Sequence, residues 1–193
     1  MLTITENSEF SAPTLQAEHI YLRTGKISDF DAIKAYRQDE ENCRYIRPAE
    51  DDATTLKMVE QLSSPWQLSQ GRWNGLVICQ ASNNEVIGEI AFNIEDWTHQ
   101  RAEIGYRLTK TASGKGYCTQ ACQLLIDFLF KEFGFVKLVA KCDPRNIASY
   151  KVMEKLGFIR EAHFKQHYLL GSEWTDQYDY GLLATNWLAQ QAQ

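Results

Sequence analysis

The sequence lacks any long apolar run. A helix needs about 20 consecutive apolar residues to cross a bilayer, and no stretch of the chain approaches that length. Residues 1–11 are polar and acidic, whereas a secretory signal has a basic start followed by an apolar segment. These absences predict a cytoplasmic protein without a membrane partner.

Basic residues are also too few to favour a polyanionic partner. The chain has 20 Lys and Arg residues against 25 Asp and Glu residues, so its formal net charge is -5. General binding to nucleic acid requires a basic surface, so no nucleic-acid partner is expected. The charge is compatible with a cationic substrate, such as an amine or a basic peptide.

The five cysteines match neither a metal site nor a disulfide framework. They are odd in number, and none forms a Cys-x-x-Cys pair or lies at zinc spacing from a histidine. We therefore expect reduced thiols and no metal. Cys118 and Cys122 share a helix face, which favours two small packed residues; a redox pair is the alternative.

What remains is an ordinary globular composition. The chain has 193 residues, of which 44% are hydrophobic and 23% are charged, close to the average for folded proteins and enough for one core. No repeat or linker divides it. We predict a single domain over residues 1–193, with residues 1–17 as an irregular N-terminal extension.

Hydrophobic periodicity predicts an α+β fold with seven strands and four helices in the order β α α β β β α β α β β. The predicted strands are 19–24, 73–80, 85–95, 101–110, 136–142, 158–170 and 173–183, and the predicted helices are 28–38, 51–64, 117–133 and 146–156. The three strands from 73 to 110 should form an antiparallel meander.

A glycine loop precedes the most strongly amphipathic helix. The loop, Ser113-Gly114-Lys115-Gly116-Tyr117, follows a predicted strand, and its glycines allow close backbone approach. The first amides of a helix lack intrahelical acceptors and attract anions. A phosphate site is one interpretation, and a tight strand-to-helix turn is the other. A P-loop would need Gly-Lys-Ser/Thr separated by four residues from an earlier glycine, and the loop lacks this pattern. A dinucleotide-binding motif would need a third glycine at position 119, where the chain has Thr119.

A companion motif, Asn-Ile-Ala-Ser-Tyr-Lys-Val-Met-Glu-Lys-Leu-Gly-Phe, occupies 146–158. Together with Ala-Glu-Ile-Gly-Tyr at 102–106 and the segment 114–121, it resembles the GNAT acetyltransferase superfamily, and more narrowly the RimJ/RimL branch, which includes enzymes that acetylate the N-terminal amine of ribosomal proteins. The resemblance spans 19–183. It implies a GNAT-type fold: one layer-packed domain with a mixed, mostly antiparallel seven-stranded sheet flanked by about four helices.

The resemblance implies acetyl-CoA as acyl donor. Its pyrophosphate would lie against the amides of 114–119, and its pantetheine arm would bond to the strand edge at 106–108 and to Asn146. The implied cofactor-binding residues are Tyr106, Arg107, Leu108, Gly114, Lys115, Gly116, Tyr117, Cys118, Thr119, Asn146 and Ser149. Asn146 also suits a helix N-cap, and both roles are compatible. Thr111 replaces a frequent Arg or Gln, which we interpret as a trait of the branch.

The resemblance also implies the catalytic groups. Glu103 would be the general base, directly or through water; an exposed carboxylate or a substrate-recognition group is the alternative. Many family members carry a tyrosine acid seven residues after the motif asparagine, where this chain has Met153. The resemblance implies that Ser149 acts as the general acid in its place. The alternative is that the CoA thiolate leaves without an acid from the enzyme. An amide at Leu108 or its neighbour would stabilise the oxyanion.

The acceptor pocket of this fold lies between the segment joining the first two helices and the last hairpin. Aromatic side chains there could bind an amine or peptide chain through cation–π contacts, although most aromatic residues in proteins pack in the core. The candidates are Arg44, Tyr45, Arg47, Trp66, Trp73, Trp97, His163, His167, Tyr168 and Trp174.

The expected reaction is acetyl transfer to the N-terminal amine of a protein or peptide. The acidic net charge of the chain is compatible with a substrate whose N-terminus is basic. A small-molecule amine (polyamine, amino sugar or antibiotic) and a non-catalytic acyl-CoA-binding module are the alternatives. Monomer and homodimer both remain open.

Overall fold

An eight-stranded sheet forms the centre of the structure, a computed structural model that describes residues 2–191. Met1, in the expected N-terminal extension, and residues 192–193, at the end of the expected domain, lie outside the described residues. The strands are β1 (Glu9–Phe10), β2 (Leu15–Gln16), β3 (Ile20–Arg23), β4 (Trp66–Gln67), β5 (Trp73–Gln80), β6 (Val86–Asp96), β7 (Arg101–Leu108), β8 (Lys137–Cys142), β9 (Ile159–Leu170) and β10 (Glu173–Leu183). The helices are α1 (Phe30–Arg37), α2 (Glu40–Cys43), α3 (Asp52–Leu62), α4 (Tyr117–Lys131), α5 (Ile147–Lys155) and α6 (Ala184–Gln191).

The strand order is β2-β3-β5-β6-β7-β8-β10-β9, and β1 pairs with β4 in a separate two-stranded ribbon. Neighbouring strands of the described chain run antiparallel except β7 and β8, which are parallel. The mixed, mostly antiparallel α+β fold predicted from the sequence is therefore confirmed.

The parallel pair separates partway along its length. Residues 101–103 of β7 pair with residues 137–139 of β8. Beyond this point β7 stays paired with β6 as far as Leu108, while β8 stays paired with β10 as far as Cys142. The two strands follow different partners, so the sheet opens between them.

Helices cover both faces of the sheet. On one face, Leu125 and Leu129 of α4 pack in a large core with Phe92 and Ile104. On the other face, Ile33 of α1 and Val59 of α3 belong to a smaller core that includes Val77. Because alternate strand residues point to opposite faces, the apolar runs of β5 and β6 supply both cores.

The elements that the sequence did not predict are mostly short. β1, β2 and β4 have two residues each, and α2 has four, too few for a hydrophobic period to be visible. The extension 1–17 thus carries two strands where an irregular segment was expected. Helix α6 is longer, but Trp187 is its one buried residue; the indole Nε1 donates to Asp127 Oδ1 at 2.7 Å. Among residues 2–191, no helix has the length and apolar character needed to span a membrane.

Candidate active site

A cavity of about 1470 Å³ occupies the opening between β7 and β8. Its wall includes residues of both strands, of the glycine loop, of the first turn of α5 and of the segment from α1 to α3. Pockets for one small molecule are usually about 300–1,000 Å³. The cavity is therefore large enough for two substrates to meet across the sheet.

The glycine loop has the backbone geometry of an anion site. Gly114 and Gly116 have φ values of 77° and 81°, in the left-handed region that favours glycine. Gly116 is the N-cap of α4, and no side chain of the described residues caps this end. The first amides of α4 are thus free for a ligand at the positive end of the helix dipole. β7 ends at Leu108 instead of the predicted Lys110, because a short 3-10 helix, Lys110–Ala112, leads into the loop.

The β7 edge offers backbone groups to the cavity. Thr109 N–H donates to Ile87 O at 2.8 Å, so odd-numbered residues of this stretch bond towards β6. Because bonding alternates along an antiparallel strand, Tyr106 and Leu108 direct their backbone groups towards the opening. Asn42 Nδ2 of α2 donates to Leu108 O at 3.0 Å, which leaves the amide of Leu108 for a ligand.

Asn146 and Ser149 begin α5 at the wall of the cavity. Asn146 is the N-cap, as the sequence predicted, and its Oδ1 accepts from Ser149 N–H at 3.2 Å. Ser149 Oγ donates to Tyr106 Oη at 3.3 Å, and Tyr106 Oη donates to Ser149 O at 3.0 Å. Burial raises the pKa of Tyr106 well above its usual value, so Tyr106 stays protonated and holds Ser149 in place.

Glu103 lies where the two strands separate. Its Oε2 accepts from Lys141 Nζ at 2.9 Å, and Lys141 Nζ also donates to Glu95 Oε1 at 2.6 Å. Arg101 Nε donates to the other oxygen of Glu95 at 2.9 Å. Burial raises the pKa of Glu103, and the charge of Lys141 opposes this shift. A carboxylate with a raised pKa is a better proton acceptor near neutral pH.

The cavity brings together nearly every cofactor and catalytic residue expected from the sequence. The wall contains Glu103, Tyr106, Arg107, Leu108, Gly114, Gly116, Tyr117, Cys118, Thr119, Asn146 and Ser149. Lys115 is exposed and lies outside that wall. Met153, at the position of the usual tyrosine, lines the cavity and is buried. A thioether cannot donate a proton. No group of three or more His, Cys, Asp or Glu side chains within residues 2–191 could hold a metal ion.

The acceptor candidates divide into two groups. Tyr45, Arg47, Trp73 and Tyr168 line the cavity. The other candidates, which do not, are Arg44, Trp66, Trp97, His163, His167 and Trp174. Trp66 is 2% exposed and packs edge-on against Phe92, with ring centroids 4.9 Å apart; its Nε1 donates to Gly75 O at 3.0 Å. The prediction for Trp66 was therefore wrong, because burial of a large aromatic ring stabilises the core.

The sequence did not indicate Lys141 or the buried pair Arg37 and Glu89. Lys141 and Glu89 are charged residues inside apolar segments, which is an unusual signal because unpaired charges are costly to bury. Arg37 gives no such signal, because it ends a helix of mixed polarity and polar residues follow it. Their partners are distant in sequence: Lys141 lies 38 residues from Glu103, and Arg37 lies 52 residues from Glu89. The sheet register brings Lys141 to Glu103, and the packing of α1 on β6 brings Arg37 to Glu89.

The sheet separates at its parallel pair, beside a helix start with free amides and the half-buried Glu103 carboxylate, and this arrangement suits an acyl-transfer enzyme. The chain belongs to the GNAT acetyltransferase family, since the family profile described as "Acetyltransferase (GNAT) domain" matches residues 19–159.

Individual relatives agree with this assignment. The uncharacterized N-acetyltransferase p20 of Bacillus licheniformis is 32% identical over 173 residues, 88% of this chain and 96% of the relative. The ribosomal-protein-serine acetyltransferase of Escherichia coli is 36% identical over 93 residues, 48% of this chain and 52% of that protein. A GNAT-family acetyltransferase structure from Bacillus anthracis aligns with a TM-score of 0.80 and 28% identity, covering 90% of this chain and 99% of that one. The presence of a ribosomal-protein acetyltransferase among the relatives is consistent with the RimJ/RimL-like branch.

Proposed function

We propose that the protein transfers the acetyl group of acetyl-CoA to the N-terminal amine of a protein or peptide. One observation carries the proposal: a single cavity is lined both by the glycine loop before α4 and by the Glu103 carboxylate. A donor with phosphates at one end and a thioester at the other fits between them.

The residues present fit acetyl-CoA. The amides at the start of α4 would hold its pyrophosphate, with Lys115 adding charge from the exposed side of the loop. The free backbone groups of Tyr106 would bond to its pantetheine arm, Asn146 would contact the same arm from α5, and the free amide of Leu108 would face its thioester. Arg107 lies between Tyr106 and Leu108 in the sequence, but its own backbone groups bond towards β6, so it would not bond to the arm through its backbone.

The chain's own residues then supply the proton transfers. Acetyl-CoA supplies an acetyl thioester when bound. Glu103 takes a proton from the acceptor amine, directly or through water, and Ser149 supplies the proton to the departing sulfur. The amide of Leu108 would stabilise negative charge on the thioester oxygen. Much of the rate comes from holding amine and thioester together in the opening.

The acceptor side favours a peptide over a polyamine. A polyamine pocket needs mainly acidic walls, whereas this wall carries Arg37, Arg47, Arg72 and Arg107 beside its carboxylates. The cavity volume of about 1470 Å³ leaves space for a chain next to the donor. The name of the Escherichia coli relative, a ribosomal-protein-serine acetyltransferase, points the same way.

We further propose that residues 1–193 act as one N-acetyltransferase domain and that the protein works in the cytoplasm. The continuous sheet from β2 to β9 supports the first proposal. The five cysteines are all free, which fits a reducing compartment.

The test combines binding and turnover. Calorimetric titration with acetyl-CoA is followed by a thiol-release assay with unmodified peptides, spermidine, glucosamine and an aminoglycoside. We expect peptides to give the highest kcat/KM, with mass spectrometry placing the acetyl group on the α-amine. A peptide with a blocked N-terminus and an internal lysine is the control. Preference for a small amine would contradict the peptide assignment, and acetyl-CoA binding without any acceptor-dependent thiol release would contradict an enzyme.

A further inference from the structure

Four arginines line the cavity, and three of them, Arg37, Arg47 and Arg107, are here called the arginine cluster. Arg107 alternates along β7 with Tyr106, whose hydroxyl contacts Ser149 on α5. Since neighbouring strand residues point to opposite faces, the Arg107 side chain lies on the face away from α4 and α5. It shares that face with Glu103.

Arg37 is neutralised by carboxylates of the protein. Its Nε donates to Glu89 Oε2 at 3.0 Å, and its Nη2 donates to Glu89 Oε1. Its Nη1 donates to Glu50 Oε1 at 2.6 Å, and Tyr36 Oη also donates to Glu89 Oε2, at 3.1 Å. These bonds occupy both oxygens of Glu89, so the Glu89 carboxylate is committed to Arg37.

Arg107 has no such ion pair: Glu89 is its register partner on β6, but among residues 2–191 no carboxylate forms an ion pair with its guanidinium. It is 5% exposed, and its Nη1 donates to the Cys43 thiol, a weak acceptor, at 3.6 Å. Its buried Nε has no hydrogen-bond partner among the residues that the structure describes. A guanidinium stays charged in proteins, and an unpaired buried charge is costly. The site therefore has an unsatisfied cation that lines the cavity.

Arg47 adds a second incompletely paired guanidinium. Its side chain is 50% exposed, and Arg47 Nη1 lies 3.6 Å from Glu50 Oε1, the oxygen that Arg37 already binds. Burial, followed by the positive charges of Arg107 and Arg37, lowers the pKa of Arg47. Glu50 Oε2 also lacks a partner in the described chain, but two arginines offset its charge. Glu50 and Glu89 thus leave the three arginines with one positive charge in excess.

We propose that the preferred acceptor amine carries a carboxylate, which binds Arg107 and Arg47 while the amine reaches Glu103. The donor's phosphates belong to the loop before α4, on the other face of the sheet, so the anion must come from the acceptor. Two sources share this chemistry: an acidic side chain near a peptide N-terminus, and the α-carboxylate of a small amino acid. A guanidinium matches a carboxylate geometrically. The proposal rests on the proposed function, because it assigns this side of the cavity to the acceptor.

The test uses acceptor pairs that differ only in this charge. One pair of peptides begins Ser-Glu-Glu or Ser-Gln-Gln, and the other pair is an amino acid and its amide. At saturating acetyl-CoA, we expect wild-type kcat/KM to favour the carboxylate member of at least one pair by about tenfold or more. Arg107→Gln should reduce this preference to about twofold, Arg47→Gln should reduce it partly, and Arg107→Lys should retain part of it.

Arg72→Gln is the matched control, because Arg72 lines the same cavity outside the arginine cluster; it should keep the wild-type preference. The KM for acetyl-CoA is measured in every variant, since Arg107 lies between Tyr106 and Leu108 on β7. N-acetylated forms of both peptides, titrated into wild type in the presence of CoA, give a readout that needs no turnover. The acidic product should bind more tightly.

Equal kcat/KM and equal product affinity within both wild-type pairs would overturn the carboxylate proposal while leaving peptide acetylation intact. That comparison needs no variant, so a failure of Arg107→Gln to fold does not prevent it. Preference for the amino acid over its amide without turnover of any peptide would support the arginine cluster and contradict the proposed peptide acceptor. An unchanged preference in soluble, folded Arg107→Gln would also overturn the proposal.

Discussion

Glu103 and Lys141 form a charged pair at the point where β7 and β8 separate, with 2.9 Å between Lys141 Nζ and Glu103 Oε2. If Glu103 accepts the amine proton, Glu103→Gln should lower kcat by about 10²–10⁴-fold and abolish the acidic limb of the pH profile. Thiol release measured from acid to alkaline pH checks this expectation.

Glu95→Gln is the matched control for Glu103→Gln. Glu95 bonds to the same Lys141 at 2.6 Å but does not line the large cavity. Its kcat should stay within about threefold of wild type, because Glu95 takes no part in the proposed proton transfer. Loss of the proton transfer itself would lower kcat by about 10²-fold or more. If Glu103→Gln keeps both its kcat and its pH dependence, the assignment of the base is wrong.

Lys141 should set the pH range of Glu103. Burial raises the Glu103 pKa, and Lys141 lowers it. Removing the cation in Lys141→Met leaves the burial effect unopposed, so the pKa should rise further. Glu103 acts as a base only while it is ionised. As the pH is lowered, the Lys141→Met variant should lose activity at a higher pH than wild type does. The acidic limb of kcat/KM should therefore move upward, whereas Lys141→Arg should leave it near its wild-type position.

Ser149 is the second residue whose hydroxyl is proposed to move a proton. Ser149→Ala should lower kcat by about tenfold or more while changing the acetyl-CoA KM little. Tyr106→Phe is the comparison, because it removes the partner hydroxyl at 3.3 Å and keeps the ring. A loss in kcat for Tyr106→Phe but not for Ser149→Ala would contradict the assignment of Ser149.

At the scale of elements, the loop before α4 can be tested through its glycines. Gly116 has a φ of 81°, and an added Cβ would meet no atom within 4 Å. Gly116→Ala therefore adds backbone strain of ~1 kcal/mol and no steric clash. Because this strain alters the amides that would bind pyrophosphate, the Kd for acetyl-CoA should rise about fivefold or more.

Gly171→Ala provides the same strain elsewhere. Gly171 lies in the turn between β9 and β10, has a φ of 62°, and also has open space around an added Cβ. Its acetyl-CoA affinity should match wild type in the same calorimetric titration. Equal effects of the two substitutions would show that strain alone, and not the loop, explains any loss of binding.

At the scale of the whole molecule, Trp66 belongs to the aromatic core formed with Phe10, Phe92, Phe128 and Phe133. Trp66→Ala should lower the free energy of unfolding by ~3–5 kcal/mol without raising the acceptor KM of the folded enzyme. Urea unfolding followed by circular dichroism measures the first quantity, and steady-state kinetics measure the second.

Trp174→Ala is the matched change at the surface, since Trp174 is 60% exposed at the β9–β10 hairpin. Its free energy of unfolding should change by less than about 0.5 kcal/mol. If Trp66→Ala raised the acceptor KM but left the free energy of unfolding unchanged, the result would show that Trp66 contributes to acceptor binding and not to the core.

Most of the sheet, and the grouping of the expected cofactor residues around one cavity, could be predicted from the sequence. The strands from Trp73 to Gln80 and from Glu173 to Leu183 have their predicted limits, and the glycine loop, Glu103 and Asn146 line one cavity. The acceptor side could not be predicted to the same extent. Trp66 and Trp73 lie seven residues apart, yet one is in the core and the other lines the cavity.

By itself, the sequence determined what depends on neighbouring residues: hydrophobic period, the left-handed glycines of the loop, and the Asn146 cap of α5. These arise from backbone sterics and bonds within a few residues. The tertiary structure alone decided which charges are paired. The register of β7 on β8 places Lys141 against Glu103. The packing of α1 on β6 pairs Glu89 with Arg37, so Arg107 forms no ion pair with a carboxylate of the described residues. Electrostatic energy depends on distance in space, which sequence separation does not specify.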